Sequence, residues 1–261
     1  MPKTFDGTDV AGASTADGVT GDSVGDHDGT IQHQYNHANP YLSSDILTYL
    51  PLNDNSLSTA TDISGNGNDG TYNGTPTLND WQFLSDGYAG FDGSDDYVRV
   101  PGVLDTIPSG GWTISAWFYV VDSGVRNDIV SKTQNSALDD YFILRTSGGE
   151  YEFFMTINDT GRTITGGSVD TGLTHIIAGQ EPNGNFFLDI DGTNIGVNTN
   201  FSQLIASGSN SDLVIGLWED LDLYLEGGIG EVVVYNRSLI PTERQNIYDV
   251  GSQANLVTGW K

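Results

Sequence analysis

The chain has 261 residues, enough for one large all-β domain or two small ones with a substantial core. Nine Lys and Arg stand against 35 Asp and Glu, a formal net charge of -26 that repels nucleic acid phosphates and anionic membranes and so argues against both as partners. Cysteine is absent, so no disulfide staples the fold, and no apolar run is long enough to span a bilayer.

In chain order, residues 1–44 come first and differ from everything after them. Gly, Asp, Ser and Thr dominate, as in GASTADGVTGDSVGDHDG, and such a segment buries too little apolar surface to offset its own ordering entropy. It is expected to be an extended arm that anchors or oligomerises the chain. Asp-Gly recurs at Asp6, Asp17 and Asp28, and three of the four histidines, His27, His33 and His37, fall here. They are read as polar arm residues rather than a transition-metal site. No apolar run follows Lys3, so a secretory signal is not expected. A protein made for the outside would then leave by another route, such as assembly into a virus particle followed by lysis.

From Asp45 the texture changes to short apolar runs separated by Gly, Asn and Asp clusters. DILTYLPL is the first strand, and behind it comes the loop Asp62-Ile-Ser-Gly-Asn-Gly-Asn-Asp-Gly70. Its residues tolerate positive φ and cap their own backbone, as in a tight turn, but its carboxylates and amides are also hard oxygen ligands of the kind calcium takes. AGFDGSDDYVRVP, GWTISAWFYVV, DIVSKT, YFILRTS, YEFFMTIN, THIIAGQ, NFFLDIDGTNIG, SDLVIGLW, LYLEGG and GEVVVYN then carry strand lengths and strand-rich residues. RTSGGEY and DIDGTNIG contain the Gly-Gly and Asp-Gly pairs that favour two-residue hairpins. The expectation is an all-β, antiparallel sandwich.

One helix is expected, in RSLIPTERQNIYDVG, with Pro241 opening it, Glu243 in its first turn, Ile247 and Tyr248 as apolar contacts and Gly251 as terminator. The tail SQANLVTGWK follows.

LTYLPLNDNS, TDISGNGNDGTYNGTPT, GYAGFDGSDDYVRVP, WTISAWFYV, NFFLDIDGTNIG and GGIGEVVVYNRSLIPTERQNIYDVG, in that order, resemble the successive signatures of laminin-G-like, concanavalin-A-like lectin jelly rolls over residues 46–251. The resemblance implies two antiparallel sheets packed face to face, within a jelly-roll domain taken as residues 45–261. In many members it also implies a calcium ion joining the early Asp-Asn loop to the last core strand. Carried over, the ligands are Asp62, Asn66, Asn68 and Glu231. The family's closing Gly-x-Ile-Asp-Glu-Val reads Gly227-Gly-Ile-Gly-Glu-Val232 here, so Gly230 removes one carboxylate.

Glycoside hydrolases share this fold, and hydrolysis needs two acids about 5–9.5 Å apart across a cleft. Glu150 with Glu152, Asp189 with Asp191, and Asp220 with Asp222 are same-face pairs. The Glu-x-Asp-x-x-Glu strand of concanavalin-like hydrolases is absent, and EDLDLYLE has the wrong spacing. No Ser-His-Asp arrangement surrounds His175, at the start of a strand. The expectation is therefore a protein that is not an enzyme. Trp117 reads as core and Trp112 as closing one end of the sandwich. The candidate sugar-stacking and sugar-binding residues are Trp81, Trp218, Asp220, Asp222 and Tyr224.

Lysine is confined to Lys3, Lys132 and Lys261, and an acid-rich, lysine-poor surface resembles those of salt-adapted archaea and their viruses. At about 1 M salt the screening length falls to roughly 3 Å and such a surface is no longer self-repelling. The combined expectation is a structural or binding protein on the outside of a virus particle or similar assembly, in high salt. Its arm would contact other particle proteins and copies of itself, and its jelly roll would face outward, towards host-surface glycans. A free carbohydrate-binding module is the alternative, with a glycosidase behind it.

Overall fold

The computed structural model describes residues 44–78, 87–135, 140–207, 212–218 and 222–257. The arm as far as residue 43, with its three histidines, lies outside the described residues, as do Trp81 and Asp220.

The elements in chain order are β1 (Ile46–Leu50), β2 (Thr71–Asn73), β3 (Ala89–Asp92), β4 (Tyr97–Val100), β5 (Trp112–Val120), β6 (Asn127–Asn135), β7 (Asp140–Ser147), β8 (Glu150–Ile157), β9 (Thr160–Ser168), β10 (Thr174–Gln180), β11 (Phe186–Ile190), β12 (Thr193–Asn198), β13 (Leu213–Ile215), β14 (Leu217–Trp218), β15 (Leu223–Tyr224), β16 (Glu226–Tyr235) and α1 (Pro241–Val257). The first sheet has the order β1-β16-β5-β10-β11-β12, with β3 also paired to β16. The second has the order β2-β4-β13-β6-β7-β8-β9, and β14 and β15 form a separate hairpin. Neighbours are antiparallel, and the whole is the jelly-roll sandwich that the alternating strands imply.

Local chemistry sets the register. Gly148 and Gly149 both take positive φ, as do Asp191 and Gly192, so β7–β8 and β11–β12 close through two-residue turns whose twist suits a hairpin. The first fixes Arg145 opposite Glu152 and Ile143 opposite Phe154. Between the sheets, Ile114, Ala116, Phe118 and Val120 of β5 meet Phe142 and Leu144 of β7 and Phe153 and Met155 of β8 in one core. Trp112 is fully buried there, stacked on Phe142 with centroids 4.5 Å apart.

The other face of the first sheet is also apolar, and α1 covers it. Ile177, Phe187, Val233 and Tyr235 point outward into a cluster with Leu239 and Ile247. The helix starts with half of a capping box: the Glu243 side chain accepts from the Ile240 N–H while Arg237 grips both its oxygens at 2.8 Å. Trp117, expected in the core, belongs to this outer layer, stacked on Tyr248. Gly251 does not terminate the helix, which continues to Val257. A Cβ there would lie 2.7 Å from the Trp117 Nε1, so the glycine serves the close approach of helix to indole.

Candidate functional site

The loop after β1 is organised around Asp62. Its Oδ1 accepts from the Tyr49 and Ser64 N–H groups, and its Oδ2 accepts from the Ser64 hydroxyl and the Asn68 N–H, all at 2.9 Å. Burial pushes the carboxyl up, but these donors outweigh it and hold it below the usual carboxylate range. Asn66 and Asn68 turn their side-chain N–H groups onto the Ile46 and Leu47 carbonyls, closing the loop against β1. Glu231 sits where β16 exchanges β3 for β1 as its partner, in a bulge where it takes φ +53. There it accepts from the Tyr49 hydroxyl at 3.1 Å.

Of the four residues expected to hold calcium, Asp62 and Glu231 are bridged by Tyr49, through its backbone N–H and its hydroxyl, while Asn66 and Asn68 are bonded to Ile46 and Leu47. Both Asp62 oxygens, however, already accept two hydrogen bonds each. As arranged, this donor set does not fit calcium: a cation would have to displace the Tyr49 or Asn68 amide. A second acidic group, Asp92, Asp95 and Asp96, lies at the turn from β3 to β4. Its buried member, Asp96, is bonded to the Thr75 and Asp92 N–H groups.

The outer face of the second sheet is a different kind of surface. Strand alternation sends Tyr141, Ile143 and Arg145 of β7 outward beside Glu152, Phe154 and Thr156 of β8. Tyr141 and Phe154 stack at 5.5 Å, Trp218 leans on Tyr141 at 4.9 Å, and the Arg145 guanidinium lies 5.5 Å from the Phe154 centroid. Arg145 Nε donates to Glu152 at 2.6 Å, and Arg126 grips buried Asp128 with both Nε and Nη2. Burial still pushes the Asp128 carboxyl up against its arginine. Across β6 the same face carries Tyr97 and Arg99 of β4, with Arg99 over the Tyr97 ring at 5.5 Å and bonded to Asp212. The β14–β15 hairpin crosses between these two patches, fastened where Ser131 donates to the Leu217 carbonyl.

The expected sugar-binding residues divide accordingly. Trp218 is 5% exposed, so its ring supports Tyr141 instead of offering a free face. Tyr224 is half-buried, 6.4 Å from Tyr97, and Asp222 is exposed in the hairpin turn. Tyr97, Tyr141, Arg145 and Phe154 escape the sequence reading. The signal is the period-two pattern of DYFILRTS and YEFFMTIN for Tyr141, Arg145 and Phe154, and of YVRV for Tyr97, which places rings and charges on the face away from the core.

Of the acid pairs, Glu150 is exposed at a strand end while Glu152 is held by Arg145. Asp189 is clamped under α1 by Arg244, which also lies 4.0 Å from the Phe187 centroid. Asp191 accepts from the His175 N–H. His175 itself is sealed beneath α1 with Nε2 2.8 Å from the Ser115 hydroxyl, and burial lowers its pKa to about 3, so it stays neutral.

Solved structures with the same fold include the receptor-binding domain of a botulinum neurotoxin C/D mosaic serotype, with a TM-score of 0.62, 13% identity, and coverage of 79% of this chain and 51% of that one. The botulinum neurotoxin type G receptor-binding domain matches with a TM-score of 0.61, 15% identity, and coverage of 79% and 51%. A structure concerned with botulinum neurotoxin type C, whose cell entry depends on interaction with two ganglioside molecules, matches at 0.61 and 14%, covering 80% and 52%. The chain therefore spans about half the length of these solved chains. A search of curated proteins finds no match. The family model described as the concanavalin A-like lectin/glucanases superfamily, of laminin-G type, matches residues 92–243, more than half of the sequence, and the chain belongs to that superfamily.

Proposed function

We propose that the protein is a non-enzymatic binding module whose outer second-sheet face, around Tyr141, Phe154, Arg145 and Glu152, takes surface glycans. The observation that carries this reading is the pairing of half-buried rings with charge-paired guanidinium and carboxylate groups on one sheet face. Sugars present apolar C–H faces to stack on rings and hydroxyls to bond to such ions. The ganglioside dependence of the type C neurotoxin, a protein of the same fold, makes glycans the first ligands to test. Commitment of Glu152 to Arg145 and of Asp189 to Arg244 favours binding over hydrolysis. A panel of immobilised glycans probed with the full chain in molar KCl tests the reading; retention on some glycans is expected, and none at all would count against it.

The setting we propose is the outside of a virus particle or similar assembly in high salt, with residues 1–44 as the anchoring arm. The acidic, lysine-poor composition and the low-complexity arm support it. Light scattering of the full chain beside one beginning at Asp45 separates this from a free lectin. A defined oligomer that needs the arm supports a particle component, and two monomers favour the free lectin.

A further inference from the structure

Of the three lysines, Lys3 and Lys261 lie near the chain ends and Lys132 lies inside the sandwich. It stands in β6 opposite Phe142 and Leu213, both core residues, at a position where alternation calls for an apolar side chain. Its side chain has 0% exposure, and its Nζ is 3.0 Å from Asp105 Oδ1. Asp105 belongs to the loop between β4 and β5, pinned by buried Val103, Leu104 and Ile107, with Leu104 held at φ +63. Burial lowers the basicity of the Lys132 amine while the Asp105 and Asp212 carboxylates oppose that. Asp212 itself is bonded to Arg99 at 3.2 Å.

We propose that Lys132 and Asp105 condense into an intramolecular amide that ties the 101–107 loop to β6. The ammonium first returns its proton to the Asp105 carboxylate within the pair. The neutral Nζ then attacks Cγ and a C–N bond forms. The adduct nitrogen gives up a proton to the departing oxygen. The C–O bond breaks, water leaves, and an amide N–H remains. Atoms and charge balance with no oxidant or co-reactant.

Two physical effects favour the reaction. Effective molarities of about 10⁵–10⁸ M for groups held in contact speed the attack of Nζ on Cγ. The amide also removes the charge of a fully buried ammonium, whose partner Asp105 has a side chain 30% exposed. In a chain without cysteine, this contact offers a covalent staple that salt does not weaken.

The test is the intact mass of the purified, denatured full chain, with peptide mapping of the same sample. Expected is a mass lower than the sequence requires by one water, and a branched peptide joining Lys132 to Asp105. Lys132→Arg and Asp105→Ala restore the full mass. A wild-type chain of unreduced mass after long incubation in molar KCl overturns the proposal and leaves an ion pair. A water loss that persists in Lys132→Arg belongs to a succinimide at an Asp-Gly pair and overturns it equally. Because the branched peptide is sought in the wild type, its presence or absence is decisive whether or not the variants fold.

Discussion

The two sheets each turn an apolar face to the core and a mixed aromatic face outward, yet the outer faces are treated differently. On the first, α1 lies over Ile177, Phe187, Val233 and Tyr235, and a buried Arg244–Asp189 pair locks it down. On the second, among the described residues, the two-stranded β14–β15 hairpin crosses β6 and leaves Tyr141, Phe154 and Arg145 half-exposed on one side and Tyr97 and Arg99 on the other. An outer face that the fold needs dry is given a helix. The charge pair of the first face is sealed under the helix, whereas that of the second, Arg145 with Glu152, lies among rings within reach of solvent, which is what a ligand requires.

The difference can be broken most severely at the helix seat. Arg244→Ala leaves Asp189 buried without its partner and is expected to cost about 3–5 kcal/mol in urea unfolding at constant molar KCl, whereas replacing both residues by Leu recovers most of the loss. Asp62→Ala removes an acceptor of four hydrogen bonds and is expected to cost about 2 kcal/mol by the same measurement. Because the folded Asp62 carboxyl titrates below its unfolded counterpart, its contribution is present above about pH 4 and is lost as the pH falls through the folded value. The pH dependence of unfolding should therefore flatten in the variant at the acid end.

On the open face, Tyr141→Ala or Phe154→Ala is expected to weaken glycan retention about tenfold while lowering stability by only about 1 kcal/mol, in contrast to the helix-seat variants. Raising KCl from about 0.1 to 1 M shortens the screening length from roughly 10 to 3 Å and should raise the melting temperature by several degrees, by screening the self-repulsion of the -26 charge. The smallest effect is expected from calcium. With both Asp62 oxygens already occupied by hydrogen bonds, addition of calcium or of a chelator should leave the melting temperature unchanged, and a rise with calcium would show that the ion displaces those donors.

Much of this is legible in the sequence. Gly-Gly at 148–149 and Asp-Gly at 191–192 announce two-residue hairpins, and the strand texture with its six family signatures points to the sandwich. Pro241 and Glu243 mark where α1 begins, but its end is not where Gly251 suggests, because that glycine answers to the Trp117 ring, a contact distant in sequence. Trp117 likewise reads as core because a strand apolar on both faces does not say which face a helix will cover. Asp62, Asn66, Asn68 and Glu231 are recognisable as a group, but whether their atoms face a cation or backbone amides depends on side-chain rotation that spacing leaves free. Trp218 reads as a sugar platform because it flanks an acidic loop, and its burial follows from Tyr141, a neighbour only across the folded sheet. Tyr141 and Phe154 themselves are within reach of the sequence, since the Gly-Gly turn fixes the β7–β8 register that sets them on one face.

The most direct test of the open face as the binding surface is a comparison of glycan binding by the wild-type full chain and by Tyr141→Ala, Phe154→Ala and Arg145→Ala in molar KCl, each checked for an intact melting transition. The account predicts retention by the wild type and its loss or marked weakening in folded variants. Retention that is equal in all four chains would contradict it and move the site elsewhere on the molecule.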